Sequence, residues 1–200
     1  TFEYDFVKTK VDELQRELDS SGIPIKLHFS AEVFYLPNLM ELKDNPLLTF
    51  GHGKYMLVEF PFDQVPNGCH EIFFQLKLAG VTPIIAHPER MELFQDDPKL
   101  LFKLVNNGLL TQITASSVYG KFGAKVQRFT EQILQCNLGH ILASDAHMSR
   151  GPRSPDLLRG YFEVSRIVGR DAAKGMVSTL PRAILDNETL DLMPPIVTED

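Results

Sequence analysis

Residues 82–90 of the chain read Thr-Pro-Ile-Ile-Ala-His-Pro-Glu-Arg. The apolar run from Thr82 to Ala86 has the length and composition of a buried strand, and His87 follows it directly. A helical pattern precedes this run at about 65–79, and another follows at about 98–106. The stretch therefore predicts a strand that lies between two helices and presents polar residues at its carboxyl end.

The same alternation of strand and helix patterns extends along the rest of the chain. Further strands are predicted at 25–35, 55–60, 109–114 and 140–143, and further helices at 6–18, 121–135, 156–168 and 171–176. Strands that alternate with helices are typical of an α/β fold with a parallel sheet. We expect one catalytic domain over residues 1–192 and a short Pro-containing tail over 193–200.

Composition narrows the classes of protein and partner. With 200 residues, 44% hydrophobic and 23% charged, the chain fits one ordinary globular domain. A net charge of −6 disfavours nucleic acid as a partner, and no apolar run is long enough to insert into a membrane. Cys69 and Cys136 lack the spacing of a metal site or a disulfide framework, which suits a cytoplasmic protein. The oligomeric state stays open.

Polar residues of the metal-ligand type stand at or just beyond the ends of four predicted strands. They are Glu32, Glu59, His87 and the pair Asp145 and His147. The carboxyl ends of parallel strands form one edge of a sheet, where sites are commonly built. The sequence therefore predicts that these side chains converge.

Each of these residues also has a plain structural interpretation. Glu59 could cap a neighbouring helix, and a lone His87 could be a core histidine with satisfied hydrogen bonds. Taken together, carboxylates mixed with imidazoles suit Mn, Fe, Zn or Mg, and a set of this size indicates more than one ion. The other histidines, at 28, 52, 70 and 140, are assigned no chemistry.

Arginines lie on the same loops as the candidate ligands. Arg90 follows His87, while Arg150 and Arg153 follow His147. A guanidinium group is always charged and can bind two phosphate oxygens at once, so this placement favours a phosphorylated substrate. The alternative is that these are surface arginines, and for Arg153 both interpretations stay open.

Four ordered motifs resemble one known superfamily. They are Leu-Val-Glu-Phe-Pro at 57–61, Ile-Ile-Ala-His-Pro-Glu-Arg at 84–90, Gln-Ile-Thr-Ala-Ser-Ser-Val-Tyr-Gly-Lys-Phe-Gly at 112–123 and Ala-Ser-Asp-Ala-His at 143–147. They are similar to the polymerase-and-histidinol-phosphatase superfamily, and most similar to its bacterial capsular and exopolysaccharide tyrosine phosphatases. The similarity extends over about residues 5–190.

This resemblance implies a fold, a cofactor and a substrate. The fold would be a distorted seven-stranded TIM-like barrel, here without about the first two strands. The cofactor would be two or three manganese ions, with Fe, Zn or Mg as alternatives. The substrate would be a phosphotyrosine protein, namely a membrane-associated bacterial tyrosine kinase that regulates polysaccharide synthesis, and water would attack phosphorus directly.

The resemblance also implies roles for individual residues. The metal ligands would be Glu32, Glu59, His87, Asp145 and His147. The catalytic residues would be Arg90 and Arg150, which bind phosphate, together with Asp145.

The sequence departs from the superfamily pattern in one respect. It lacks the His-x-His pair expected on the first strand and the histidine expected after the second. Two explanations are open: that roughly the first quarter of the protein is missing from this chain, or that the chain is an inactive, truncated relative. The functional alternatives are a histidinol-phosphate or other small-molecule phosphatase, a metal-dependent deaminase or amidohydrolase, and a non-catalytic regulatory protein.

Overall fold

The computed structural model describes residues 4–62, 66–151 and 153–197. The strands are short and well separated along the chain: β1 (Glu32–Phe34), β2 (Tyr55–Glu59), β3 (Thr82–Ala86), β4 (Leu110–Thr114) and β5 (Ile141–Ala143). The helices of the first half are α1 (Tyr4–Ser20), α2 (Leu39–Leu42), α3 (Cys69–Leu78), α4 (Glu92–Asp96) and α5 (Pro98–Asn106). Those of the second half are α6 (Ala115–Val118), α7 (Ala124–Gln135), α8 (Leu157–Val168), α9 (Arg170–Lys174) and α10 (Leu180–Leu185), with a π-helical turn at Gly175–Thr179.

The strands form one parallel sheet in the order β1-β2-β3-β4-β5. The expected distorted seven-stranded barrel is therefore wrong: within the described residues the sheet is open and five-stranded. A barrel requires its first and last strands to pair with each other. Here β1 pairs with β2 and β5 pairs with β4, so the described sheet keeps two edges.

The first strand is much shorter than predicted, because a helix side chain binds part of the predicted segment. Gln15 of α1 accepts a hydrogen bond from the Leu27 amide at 2.8 Å and donates one to the Ile25 carbonyl at 2.9 Å. These backbone groups are thereby taken by a side chain rather than by a neighbouring strand. Only Glu32–Phe34 remains to extend the sheet.

The two faces of the sheet have different surroundings. Side chains alternate between the faces of a strand, so Met56 and Val58 join the main hydrophobic core while Tyr55 and Leu57 join a smaller cluster on the opposite face. The main core also takes in residues of α3, α5, α7 and α8, whereas the smaller cluster packs against Ile184 of α10. None of the described helices combines the length and the apolar character that a membrane span requires.

The orientation of the candidate metal ligands follows from this alternation of side chains. Glu59 lies two residues after Leu57, and Glu32 is in register with Leu57 on the neighbouring strand. Both glutamates therefore face the side of the sheet that carries the smaller cluster. His87 immediately follows β3, at the same carboxyl edge.

A local signal in the sequence accounts for the start of α5. The Asp97 side chain accepts a hydrogen bond from the Lys99 amide at 3.1 Å, and Pro98 occupies the first turn of α5. Asp is a preferred N-cap residue and Pro is tolerated at the first helical position, so α5 begins as the sequence predicts.

His140 has a structural role at the start of β5. Its side chain is buried, and Nδ1 lies 3.1 Å from the Thr111 amide, which donates to it. Burial lowers the pKa of His140 to about 4, so the ring is neutral at pH 7. The ring therefore supplies an acceptor to the backbone of β4.

Helices α6 and α8 approach each other at a glycine. A Cβ atom added to Gly160 of α8 would lie 2.5 Å from the Cβ of Ala115 and 3.0 Å from its Cα. Both residues are buried, and the obstructing atoms belong to a short side chain and the backbone. The contact therefore requires the absence of a side chain at position 160.

We predict that Gly160→Ala destabilises the fold by about 1–3 kcal/mol, the usual effect of overpacking. Gly175→Ala is the matched control, because that residue has helical φ and ψ of −52° and −47° and an added Cβ would meet no atom within 4 Å. We expect the control to be neutral or slightly stabilising, since alanine favours helix. Urea unfolding of both variants measures the difference, and equal stabilities would contradict the prediction.

Candidate active site

Three of the predicted ligands converge at the carboxyl edge of the sheet. The Nε2 atom of His87 lies 3.3 Å from a carboxylate oxygen of Glu32 and 3.2 Å from one of Glu59. One ligand atom from each of the three residues lies within 4.8 Å of the others. Strands β1 and β2 and the turn after β3 thus each supply one group to a common point.

The geometry of this cluster fits a metal ion. Two ligand atoms bound about 2.1 Å from one ion lie about 3.0–3.4 Å apart in octahedral or tetrahedral geometry. The separations of 3.2 and 3.3 Å in the cluster agree with that spacing. His87 is nearly buried, while the two glutamate side chains are 32% and 31% exposed, which leaves an approach from solvent.

The charges of the cluster are mutually dependent. The hydrogen bond from His87 lowers the pKa of Glu32, against the opposing effect of partial burial. Burial works to lower the pKa of His87, but the hydrogen bond to Glu32 and the neighbouring carboxylates outweigh it, so the net pKa is raised. Two carboxylates thus favour a positive charge at this point, which a proton or a metal ion can supply.

The backbone at His87 is unusual. Its φ and ψ are 33° and 51°, in the left-handed region, although the residue is not glycine and precedes Pro88. A residue before proline favours extended conformations, so this geometry is strained. Asp145 also has a positive φ, of 50°. Two of the predicted site residues therefore adopt conformations that the surrounding structure must enforce.

Asp145 and His147 lie in a second group, together with two arginines. The Oδ2 atom of Asp145 accepts hydrogen bonds from Arg90 and from Arg153, each at 3.0 Å. Arg153 also lies 3.1 Å from Nε2 of His147, whose Nδ1 is 3.0 Å from the Asp145 carbonyl oxygen. Two guanidinium groups therefore converge on one anionic oxygen beside the metal-type cluster.

Aromatic rings hold Arg90 and His87 in place. The Arg90 guanidinium carbon lies 4.6 Å from the centre of the Phe122 ring and 5.2 Å from that of Phe62. Phe62 also stacks on the His87 ring, with centres 5.5 Å apart and planes 10° apart. Cation–π and stacking contacts of this kind restrict the orientation of both polar groups.

Glu89, which stands between His87 and Arg90 in the sequence, is fully buried. Oε1 of Glu89 accepts hydrogen bonds from the Thr114 amide at 3.0 Å and from the Ser117 hydroxyl at 2.7 Å. Burial raises the pKa of Glu89, against the lowering effect of these hydrogen bonds. The Glu89 side chain is thus bound to the end of β4 and to α6.

The structure brings some predicted residues together and separates others. Glu32, Glu59 and His87 form one cluster, while Asp145, His147 and Arg90 form the neighbouring group. Arg150 is exposed in the loop that follows, and Arg153 is the arginine that contacts Asp145. The metal-binding and catalytic roles of all of these residues stay predictions.

Three residues that contact the site were not assigned to it from the sequence, namely Phe62, Glu89 and Phe122. For Arg153, which contacts Asp145, the sequence left a phosphate contact and a surface position both open. Glu89 and Arg153 stand within the Ala-His-Pro-Glu-Arg run and the loop after His147, but neither burial nor loop geometry can be read from those motifs. Phe62 carried no signal beyond its position after β2.

A family model and individual relatives of known function both match this chain. The family described as "Capsular polysaccharide synthesis, CpsB/CapC" matches residues 2–186. The tyrosine-protein phosphatase YwqE of Bacillus subtilis is 33% identical over 190 residues, which are 94% of this chain and 74% of YwqE. The tyrosine-protein phosphatase CpsB of Streptococcus agalactiae is 27% identical over 189 residues, which are 92% and 77% of the two chains.

A solved structure has the same fold. It is described as belonging to "YwqE from Bacillus subtilis and CpsB from Streptococcus pneumoniae, unique metal-dependent tyrosine phosphatases". The TM-score is 0.91 at 30% sequence identity, and the match covers 98% of this chain and 79% of that one.

We predict that Glu59→Gln weakens the binding of a divalent metal ion by tenfold or more, on the order of the effect of disturbing a metal site. The variant replaces a charged ligand by a neutral one of the same size. Glu71→Gln, on the exposed surface of α3, is the matched control. Calorimetric titration with Mn²⁺ measures both affinities, and a Glu59 variant that binds as well as the control would disprove the assignment.

Proposed function

The chain belongs to the CpsB/CapC family of capsular polysaccharide synthesis, and from this we infer that it is a metal-dependent tyrosine-protein phosphatase. The convergence of Glu32, Glu59 and His87 beside a pair of guanidinium groups carries this conclusion. Carboxylates with imidazole suit a metal ion, and arginines suit the phosphoryl oxygens of a substrate. The two requirements of metal-assisted phosphate ester hydrolysis thus occur side by side.

The chain supplies the ligands for the metal. Glu32, Glu59 and His87 would hold an ion, and we propose Asp145 and His147 as further ligands. A bound divalent ion would activate water as the nucleophile and neutralise charge on the phosphoryl group. We propose manganese in two or three positions, with Fe, Zn or Mg as alternatives.

The arginines bind the substrate in this proposal. Arg90 and Arg153 point at the same oxygen of Asp145 from different segments, so their N–H groups are already directed at one anionic position. A phosphoryl group near Asp145 could accept hydrogen bonds from both, and such contacts stabilise the charge that its oxygens carry in the transition state. Arg150, on the same loop as Arg153, is proposed as a further phosphate contact.

The cysteines are not placed to act as nucleophiles. Cys69 and Cys136 are both free and buried. Burial raises the pKa of the Cys69 thiol to about 11 and also raises that of Cys136, so neither is a thiolate at neutral pH. Water is therefore the attacking group in this proposal. The leaving phenolate of tyrosine, with a pKa of about 10, needs little protonation.

The proposed substrate is a phosphotyrosine protein, specifically a membrane-associated bacterial tyrosine kinase that controls polysaccharide synthesis. A histidinol-phosphate phosphatase would use similar ligands, but exposed phenylalanines beside the cluster favour an aromatic ester. Phe62 is 43% exposed and Phe34, which follows Glu32 on β1, is 51% exposed. A cytoplasmic location stays a prediction, which the free cysteines favour.

The function is tested by release of phosphate from a phosphotyrosine peptide in the presence of Mn²⁺ and its loss in EDTA. We expect Arg153→Ala to lower kcat/KM by about 100-fold, the order of effect of removing one donor to a developing charge. We expect a much smaller effect of Arg150→Ala, because Arg150 is exposed.

Two outcomes would change these conclusions. No metal-dependent release by the unmodified chain would refute the phosphatase function. A large loss in Arg150→Ala with little loss in Arg153→Ala would assign the phosphate contact to Arg150 instead.

The exposed Phe62 ring would favour aromatic over aliphatic phosphate esters. If its exposed ring contacts the phenyl ring of the substrate, Phe62→Leu should weaken inhibition by phenylphosphonate about 3–10-fold, as expected for an aromatic pair. Inhibition by methylphosphonate should change much less. Phe74→Leu, at a 63% exposed position on α3, is the control. Equal losses for the two inhibitors would show that Phe62 only supports His87 and Arg90.

A further inference from the structure

Glu89 is an ionisable residue in a place where ionisable residues are rare. It is fully buried, with 0% of its surface exposed, and it stands between the candidate ligand His87 and the candidate phosphate contact Arg90. A buried carboxylate is costly unless it is hydrogen-bonded. Its contacts therefore indicate what it contributes.

Those contacts join the turn at 87–90 to the end of β4 and the start of α6. One carboxylate oxygen accepts from the Thr114 amide and from the Ser117 hydroxyl. The Glu89 carbonyl oxygen accepts from Nε2 of Gln95 at 2.8 Å. The turn is thus bound through both the side chain and the backbone of its central residue.

The turn needs such support because His87 is strained. Its left-handed backbone before Pro88 persists only if neighbouring contacts enforce it. The His87 amide donates to the Gln112 carbonyl at 2.8 Å, and the Arg90 amide donates to the His87 carbonyl at 3.0 Å. These two bonds fix the ends of the turn, and Glu89 fixes its middle.

The anchor of Glu89 is itself rigid. Ser117 is fully buried in α6, and α6 packs against α8 through the close contact of Ala115 with Gly160. Helix α8 therefore contacts α6, α6 contacts Glu89, and Glu89 belongs to the turn that carries His87. These contacts connect α8 to the candidate metal position. A displacement of α6 would be transmitted to His87 and Arg90 together.

We propose that Glu89 is a positioning residue, which accepts hydrogen bonds from Thr114 and Ser117 and thereby holds His87 for metal binding and Arg90 for phosphate binding. This inference rests on the proposed function for the roles of His87 and Arg90. Groups behind metal ligands commonly alter metal affinity by about 10–100-fold when they are removed. Loss of the Glu89 contacts should therefore weaken the metal site without removing any ligand.

Ser117→Ala is the principal test, with Ser116→Ala as its matched control. The two serines are adjacent and buried, and only the Ser117 hydroxyl bonds Glu89. We expect Ser117→Ala to weaken Mn²⁺ binding by about tenfold and to speed exchange of the His87 amide hydrogen in the metal-free chain by a similar factor. The control should leave both quantities within about twofold of their original values.

Substitutions at Glu89 distinguish a role as hydrogen-bond acceptor from a role that needs its carboxylate charge. Glu89→Gln keeps an acceptor oxygen for Thr114 and Ser117 but places an NH2 group where the buried Oε2 has no hydrogen-bond partner. We therefore expect its Mn²⁺ affinity and its His87 amide exchange to change less than in Ser117→Ala. Glu89→Leu removes the acceptor and should reproduce or exceed the Ser117→Ala effect. If Glu89→Leu does not fold, Ser117→Ala and Glu89→Gln still decide the question.

The inference fails if the two serine variants behave alike in both measurements, or if Glu89→Gln loses as much as Ser117→Ala. Failure of the proposed function has a different signature. In that case the unmodified chain would release no phosphate from phosphotyrosine, while amide exchange at His87 would still distinguish Ser117→Ala from Ser116→Ala.

Discussion

The candidate site depends on the parallel pairing of β2 with β3. The register places Val58 beside Ile85, so Glu59, which ends β2, and His87, which follows β3, come together at one edge. Because side chains alternate, a slip of one residue would turn Glu59 toward the helices and Leu57 away from its cluster. Burial of Leu57 and Ile84 on one face thus helps to fix the position of Glu59.

Several elements could be predicted from the sequence because their signals are local. The strands at 55–60, 82–86, 109–114 and 140–143 agree with β2 to β5 within a residue, and the helix predicted at about 98–106 agrees with α5. The convergence of Glu32, Glu59 and His87 followed from parallel order alone. Each of these inferences needs only the apolar pattern and the rule that strand ends share an edge.

The failures involve contacts between distant parts of the chain. The barrel was wrong because closure depends on pairing between edge strands, which no local pattern encodes. The length of the first strand was wrong because the Gln15 side chain forms hydrogen bonds with the backbone of a segment about ten residues further on. The approach of Arg153 to Asp145 and the burial of Glu89 likewise depend on how loops fold back on the sheet.

The inaccessibility of both cysteines has a consequence for how such an enzyme would respond to oxidants. Peroxide attacks exposed thiolates, and enzymes that rely on a low-pKa cysteine lose activity when that sulfur becomes a sulfenic acid. Cys69 and Cys136 are 1% and 5% exposed and their pKa values are raised, so neither offers such a target. Oxidation of these two thiols is therefore not a route by which peroxide would switch off dephosphorylation by this chain.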